Sequence, residues 1–114
     1  MKTKLLITML LAAGLVSACS EMNPHPMDMS QAVQSAASKA DHEALAKHYE
    51  DAANEMQVKV DEHKKLLAEY QLKSYLYGRQ AEDLKAHCLE LITIYEKAVV
   101  SNRKMAEMHQ AVAH

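Results

Sequence analysis

The sequence has no Phe and no Trp, and only two Gly, two Pro and two Cys in 114 residues. Five Tyr (Tyr49, Tyr70, Tyr75, Tyr77 and Tyr95) are its whole aromatic content. Pro24, Pro26 and Gly14 all fall early, so residues 27–114 contain one Gly, Gly78, and no Pro. Gly and Pro are the residues that punctuate turns. Their absence over so long a stretch excludes a fold of many short strands and tight turns. There is no Cys-x-x-Cys-His for covalent haem, no Gly-rich phosphate loop and no nucleophile elbow. No two His stand four residues apart, so the two-His helical metal motif is missing. Charge of neither sign dominates: 13 Lys+Arg face 15 Asp+Glu. A nucleic-acid binder would show a basic patch or stripe, and none is present. What remains after Met27 is rich in Ala, Leu, Glu, Lys, Gln and Met, the strong helix formers. The fold class this predicts is all-α.

The first residues have a different grammar. Met1-Lys2-Thr3-Lys4 is short and basic, and Leu5 to Leu15 is an uncharged apolar run broken only by Thr8 and Gly14. Small residues and a Cys follow in Val16-Ser17-Ala18-Cys19. A basic start, an apolar stretch and small residues before a cut describe an export signal. The stretch is too short for a permanent bilayer span, which needs ~20 residues. Val16-Ser17-Ala18-Cys19 resembles the lipobox of bacterial lipoproteins: a branched apolar residue, two small residues, then Cys. The resemblance covers only the first 20 residues. It implies that the Cys19 thiol carries a diacylglycerol, that residues 1–18 are cut away, and that the new amine is acylated. Two or three acyl chains hold a protein on a membrane where one does not. Ser20 after the Cys resembles the outer-membrane sorting pattern, so the implied location is the periplasmic side of the cell envelope, at the outer membrane before the inner. Without Lys2 and Lys4, 11 basic residues face 15 acidic ones, a formal charge of −4.

Residues 19–29 read as a tether, because Asn23-Pro24-His25-Pro26 biases the backbone toward extended conformations. Residues 30–114 read as one helical domain. Ser38-Lys39-Ala40-Asp41 is a helix start, with an acidic residue three places after the Ser. From there Leu45, Tyr49, Ala52, Met56, Val60, His63, Leu67 and Tyr70 recur at steps of three and four. Beyond Leu84, so do Cys88, Leu91, Tyr95, Ala98, Asn102, Met105, His109 and Val112. Alternating steps of this kind are a coiled-coil-like seam. Gly78 lies between the two seams, which predicts a long antiparallel hairpin turning near 76–79. The alternative is one continuous helix with Gly78 tolerated inside it. Val58, Leu66, Leu72, Leu76, Leu89, Ile92, Ile94, Val99 and Val100 lie outside the seams. A hairpin with more apolar face than one partner covers is expected to pair into a four-helix bundle or to dock a helical protein partner.

Three chemistries have candidate residues. Folding at Gly78 brings His42, His48, Met105 and His109 to the open end of the hairpin. Met22, His25, Met27 and Met29 stand in the tether. Thioether and imidazole donors together suit copper as Cu(I), or haem iron held by His and Met. Met and His at seam positions also serve as plain core filling. With Cys19 acylated, Cys88 is a lone thiol, which leaves burial or pairing between chains. Its neighbour His87 points ~100° away on a helix, so the two do not form a nucleophile–base pair. Glu50/Asp51, Asp61/Glu62 and Glu82/Asp83 are adjacent carboxylates amid lysines, as ordinary helix surfaces have. The sequence therefore reads as a non-enzymatic, membrane-anchored interaction module without a cofactor. An extracytoplasmic copper-binding protein is the rival.

Overall fold

A computed structural model of the chain describes residues 27–114. The proposed signal 1–18, the lipid-attachment residue Cys19 and the tether up to residue 26 lie outside the described residues. The described residues fall into two units, the first ending at Gln34 and the second spanning Ser35–His114.

All the regular structure among the described residues is helical. Helix α1, Met29–Ser35, begins where Asp28 Oδ1 accepts a hydrogen bond from the Gln31 amide. It is separate from the helix that follows, and Ser38 is why. Ser38 is extended (φ −99°, ψ 162°), and its hydroxyl accepts from the Asp41 amide at 3.1 Å. Asp41 Oδ2 in turn accepts from the amides of Ser38 at 2.9 Å and Ala37 at 3.1 Å. This reciprocal box satisfies donors that a helix start otherwise leaves open. The Asp41 carboxyl is held down at about 2, first by these backbone amides and then by the Ser38 hydroxyl.

Helix α2 is Lys39–Leu72, α3 is the single turn Ser74–Tyr77, and α4 is Gln80–Ala113. Helices α2 and α4 pack along each other as a hairpin. The chain reverses at Gly78, which has φ +55° and ψ −127°. This is not the left-handed helical cap that a Gly after a helix leads one to expect. Gly78 and Arg79 (φ −64°, ψ −24°) instead resemble the central pair of a type II′ turn. Only Gly takes the first of those positions without strain. The Tyr77 ring meets Tyr70 edge-on at 5.4 Å beside the turn. The hairpin predicted to turn near 76–79 is thus present, with the first long helix ending at Leu72 and the single turn α3 leading into Gly78.

The seam differs from the expected one in a consistent way. On α4 the buried residues are Ala81, Cys88, Ile92, Val99, Ala106 and Ala113. Cys88, half-buried Tyr95, Asn102 and His109 hold their expected places. The other line of the seam is Ile92, Val99, Ala106 and Ala113, one residue later than Leu91, Ala98, Met105 and Val112. On α2, Ala46 and Ala53 are buried with Leu45 and Val60, and Ala53 replaces the expected Ala52. Ile92 and Val99 are therefore core residues, whereas Val58, Leu66, Leu72, Leu76, Leu89, Ile94 and Val100 are exposed. Val60, Ile92 and Val99 form the central cluster, with Met56, Leu67 and Tyr95 packed on it.

Candidate functional site at the open end of the hairpin

His42 lies in the first turn of α2, set there by the Ser38–Asp41 box. His109 lies in the last two turns of α4. The antiparallel register brings the two together, with Nδ1 to Nδ1 at 3.3 Å. Their ring centroids are 5.6 Å apart and their planes differ by 23°. That centroid separation is about the nitrogen gap plus the two ring radii. The rings therefore meet edge to edge, nitrogen facing nitrogen, and are not stacked face over face. One ring donates Nδ1–H and the other accepts; which is the donor depends on the tautomers.

The Tyr49 ring lies nearly parallel to His109, at 5.6 Å and 7°, and His48 meets Tyr49 edge-on at 5.5 Å. His109 thus meets both His42 and Tyr49. The small residues Ala46 and Ala106 are buried in this stretch of the seam. Of the four residues nominated from the sequence, His42 and His109 touch and His48 joins through Tyr49. Met105, one turn before His109 on α4, is more than a third exposed. Tyr49 is the member the sequence reading did not nominate. Its seam position was the available signal. No group of three or more His, Cys, Asp or Glu placed to hold a metal occurs among the described residues.

A second cluster lies further toward the turn. Cys88 is buried, and its thiol donates to the His63 carbonyl at 3.0 Å. His63 Nδ1 is 3.8 Å from the same sulfur, and the His63 ring faces Tyr95 at 5.4 Å and 24°. Burial pushes the Cys88 thiol above its ordinary range, against a smaller opposing pull from the Leu67 backbone. A protonated, buried thiol is a poor nucleophile. Facing the inside of the hairpin, it is also poorly placed to bridge to another chain.

The carboxylates are engaged at the surface. Asp51 pairs with Lys47 at 2.6 Å, Glu62 with Lys59 at 3.2 Å, and Glu82 with Lys85. Asp61 accepts from Gln57 at 3.2 Å. Lys64 and Glu96 pair across the hairpin at 3.2 Å, with both side chains about half exposed. Such exposed pairs contribute little, because water and salt screen them. None of the described helices is long and apolar enough to cross a membrane. The chain matches no protein-family model, no curated protein and no solved structure.

Proposed function

We propose that this chain is a lipid-anchored, extracytoplasmic helical module that works by protein docking, and that its hairpin pairs first with a second copy of itself. The observation that carries the reading is the imbalance between core and surface. Among the described residues, half of the buried ones are Ala, and only Leu45 and Val60 are large side chains shut off almost completely. Outside, Ile94, Met108 and Val112 are more than half exposed, and Met105 more than a third. At 100° per residue these four fall within about 60° of each other on α4, about 130° round from its buried face. A small two-helix domain buries too little apolar surface to be comfortable alone. A second hairpin laid along that edge completes a four-helix bundle through an isologous, two-fold interface.

The anchor rests on the lipobox-like Val16-Ser17-Ala18-Cys19, and the outer-membrane location on Ser20. An acylated Cys19 leaves the hairpin on a short leash, where surface confinement raises its effective concentration for pairing.

Sedimentation of the detergent-solubilised full chain tests the pairing. The expected result is a dimer whose melting temperature rises with protein concentration. Ile94→Lys together with Val112→Lys should give a monomer that melts lower. A well-folded parent monomer at micromolar concentration would falsify the pairing. Palmitate labelling tests the anchor separately: label is expected on the parent and absent from Cys19→Ser. Equal labelling of both, or none on the parent, removes the anchor.

A further inference from the structure

We propose that His42 and His109 form a Cu(I) site, with their two Nδ1 atoms as opposed ligands bridging the ends of α2 and α4. It holds whether or not the hairpins pair.

Three features of the pair carry it. First, the two nitrogens converge. At 3.3 Å and nearly edge to edge, both Nδ1 positions aim at one point between the helices. Imidazole nitrogens sit about 2.0–2.1 Å from a bound metal. Two such nitrogens on opposite sides of an ion stand about 4.0–4.2 Å apart, against 3.3 Å here, so the rings must part by about 0.7–0.9 Å in total, or about 0.4 Å each. That is within ordinary side-chain fluctuation of ~0.5–0.9 Å. Second, the facing donors are two imidazole nitrogens. No third His, Cys, Asp or Glu gathers here among the described residues. Zinc uses three or four protein ligands. A monovalent d10 ion is satisfied by two donors placed opposite one another, and imidazole suits copper. Third, the rings are held. Tyr49 lies parallel to His109, and the adjoining seam residues Ala46 and Ala106 are small and buried. The site thus sits on two long helices, which fix ligands better than loops do.

The proton balance is simple. Without metal, one ring donates its Nδ1–H to the other. On binding, that Nδ1 releases its proton to solvent and the same ring takes one up at Nε2. Both rings end as neutral Nε2–H tautomers, with no net proton change and no change in copper oxidation state.

The test uses the full chain in detergent, in a Cys88→Ala background whose Cys19 is acylated or replaced by Ser, so that no competing thiol remains. Anaerobic titration with Cu(I) against a chromophoric chelator should show one tight equivalent. X-ray absorption should show two nitrogen scatterers. His42→Phe and His109→Phe should each weaken binding at least tenfold, while His48→Phe and Met105→Leu stay within about threefold. In case a His variant loses helicity, 15N NMR of the Cys88→Ala parent gives an independent reading. Both histidines should appear as Nε2–H tautomers with shifted Nδ1 resonances when Cu(I) is added. A sulfur-dominated shell, undiminished binding in both folded His variants, or unmoved Nδ1 resonances would overturn the site.

Discussion

Midway along the hairpin and at its open end, the same seam is built in two different ways. At the centre, Val60, Ile92 and Val99 fill the space with branched aliphatic volume, and Met56, Leu67 and Tyr95 close over it. At the open end Leu45 is buried as well, but the rest of the line is small: Ala46 and Ala53 on α2, with Ala106 and Ala113 on α4. There the space beside the alanines is crossed by the rings of His42, Tyr49 and His109. The centre gains from burying methylenes, at roughly 25 cal/mol per Å². The end gains less from burial and instead holds converging polar atoms, which must keep a partner to justify their place. Stability and chemistry are thus divided along the length of one hairpin.

The largest way to break the comparison is to empty the centre. Ile92→Ala should destabilise by about 2–5 kcal/mol, because a packed aliphatic side chain is replaced by a cavity. Urea unfolding would show it as a lower midpoint. The His42–His109 contact should survive in the folded fraction, since it lies several turns away. Loss of that contact along with the midpoint would mean that the two regions are one cooperative packing unit.

The converse change fills the end. Ala106→Leu should cost about 1–3 kcal/mol by overpacking. It should also prise His42 and His109 apart, which NMR contacts between the two rings would report. A stabilised protein with the ring contact intact would show that the open end has unused room, and that its alanines are there by tolerance.

How much of this was legible beforehand depends on which line of the seam is asked about. Cys88, Tyr95, Asn102 and His109 were placed by period alone, and they are the positions that bring His109 to His42. The other line was ambiguous for a plain reason. Leu91-Ile92, Ala98-Val99, Met105-Ala106 and Val112-Ala113 are all apolar doublets, so a helical period fits either member. The fold takes the second of each. At the open end this puts Ala106 and Ala113 inside and leaves Met105 and Val112 outside. That choice made room for rings and turned Met105 away from the seam, which a count of apolar residues does not foresee. The head-on meeting of two nitrogens is a matter of rotamers, and no sequence pattern encodes it. Capping was the opposite case. Ser38 and Asp41 act through atoms three residues apart, so the sequence holds the whole interaction.

The smallest effects probe that cap, which sets where α2 begins and so where His42 sits. Ser38→Ala should cost about 1 kcal/mol, the usual toll for losing a capping hydroxyl. The Asp41 half of the box carries a pH signature. Its folded carboxyl titrates at about 2, against an ordinary 3.8. A carboxyl depressed on folding adds stability that is fully present above its unfolded value and is lost as pH falls through the folded one. Acidifying from pH 5 toward pH 2 should therefore loosen the start of α2 before the centre responds. Hydrogen exchange at the amides of Ser38 and Asp41, compared with Val60, resolves the order. Asp41→Asn should flatten the acid response at the end while leaving that of the centre in place. If both regions instead unravel together in the parent, the cap is coupled to the aliphatic cluster. The division between a stabilising centre and a chemically active end would then be one of composition alone.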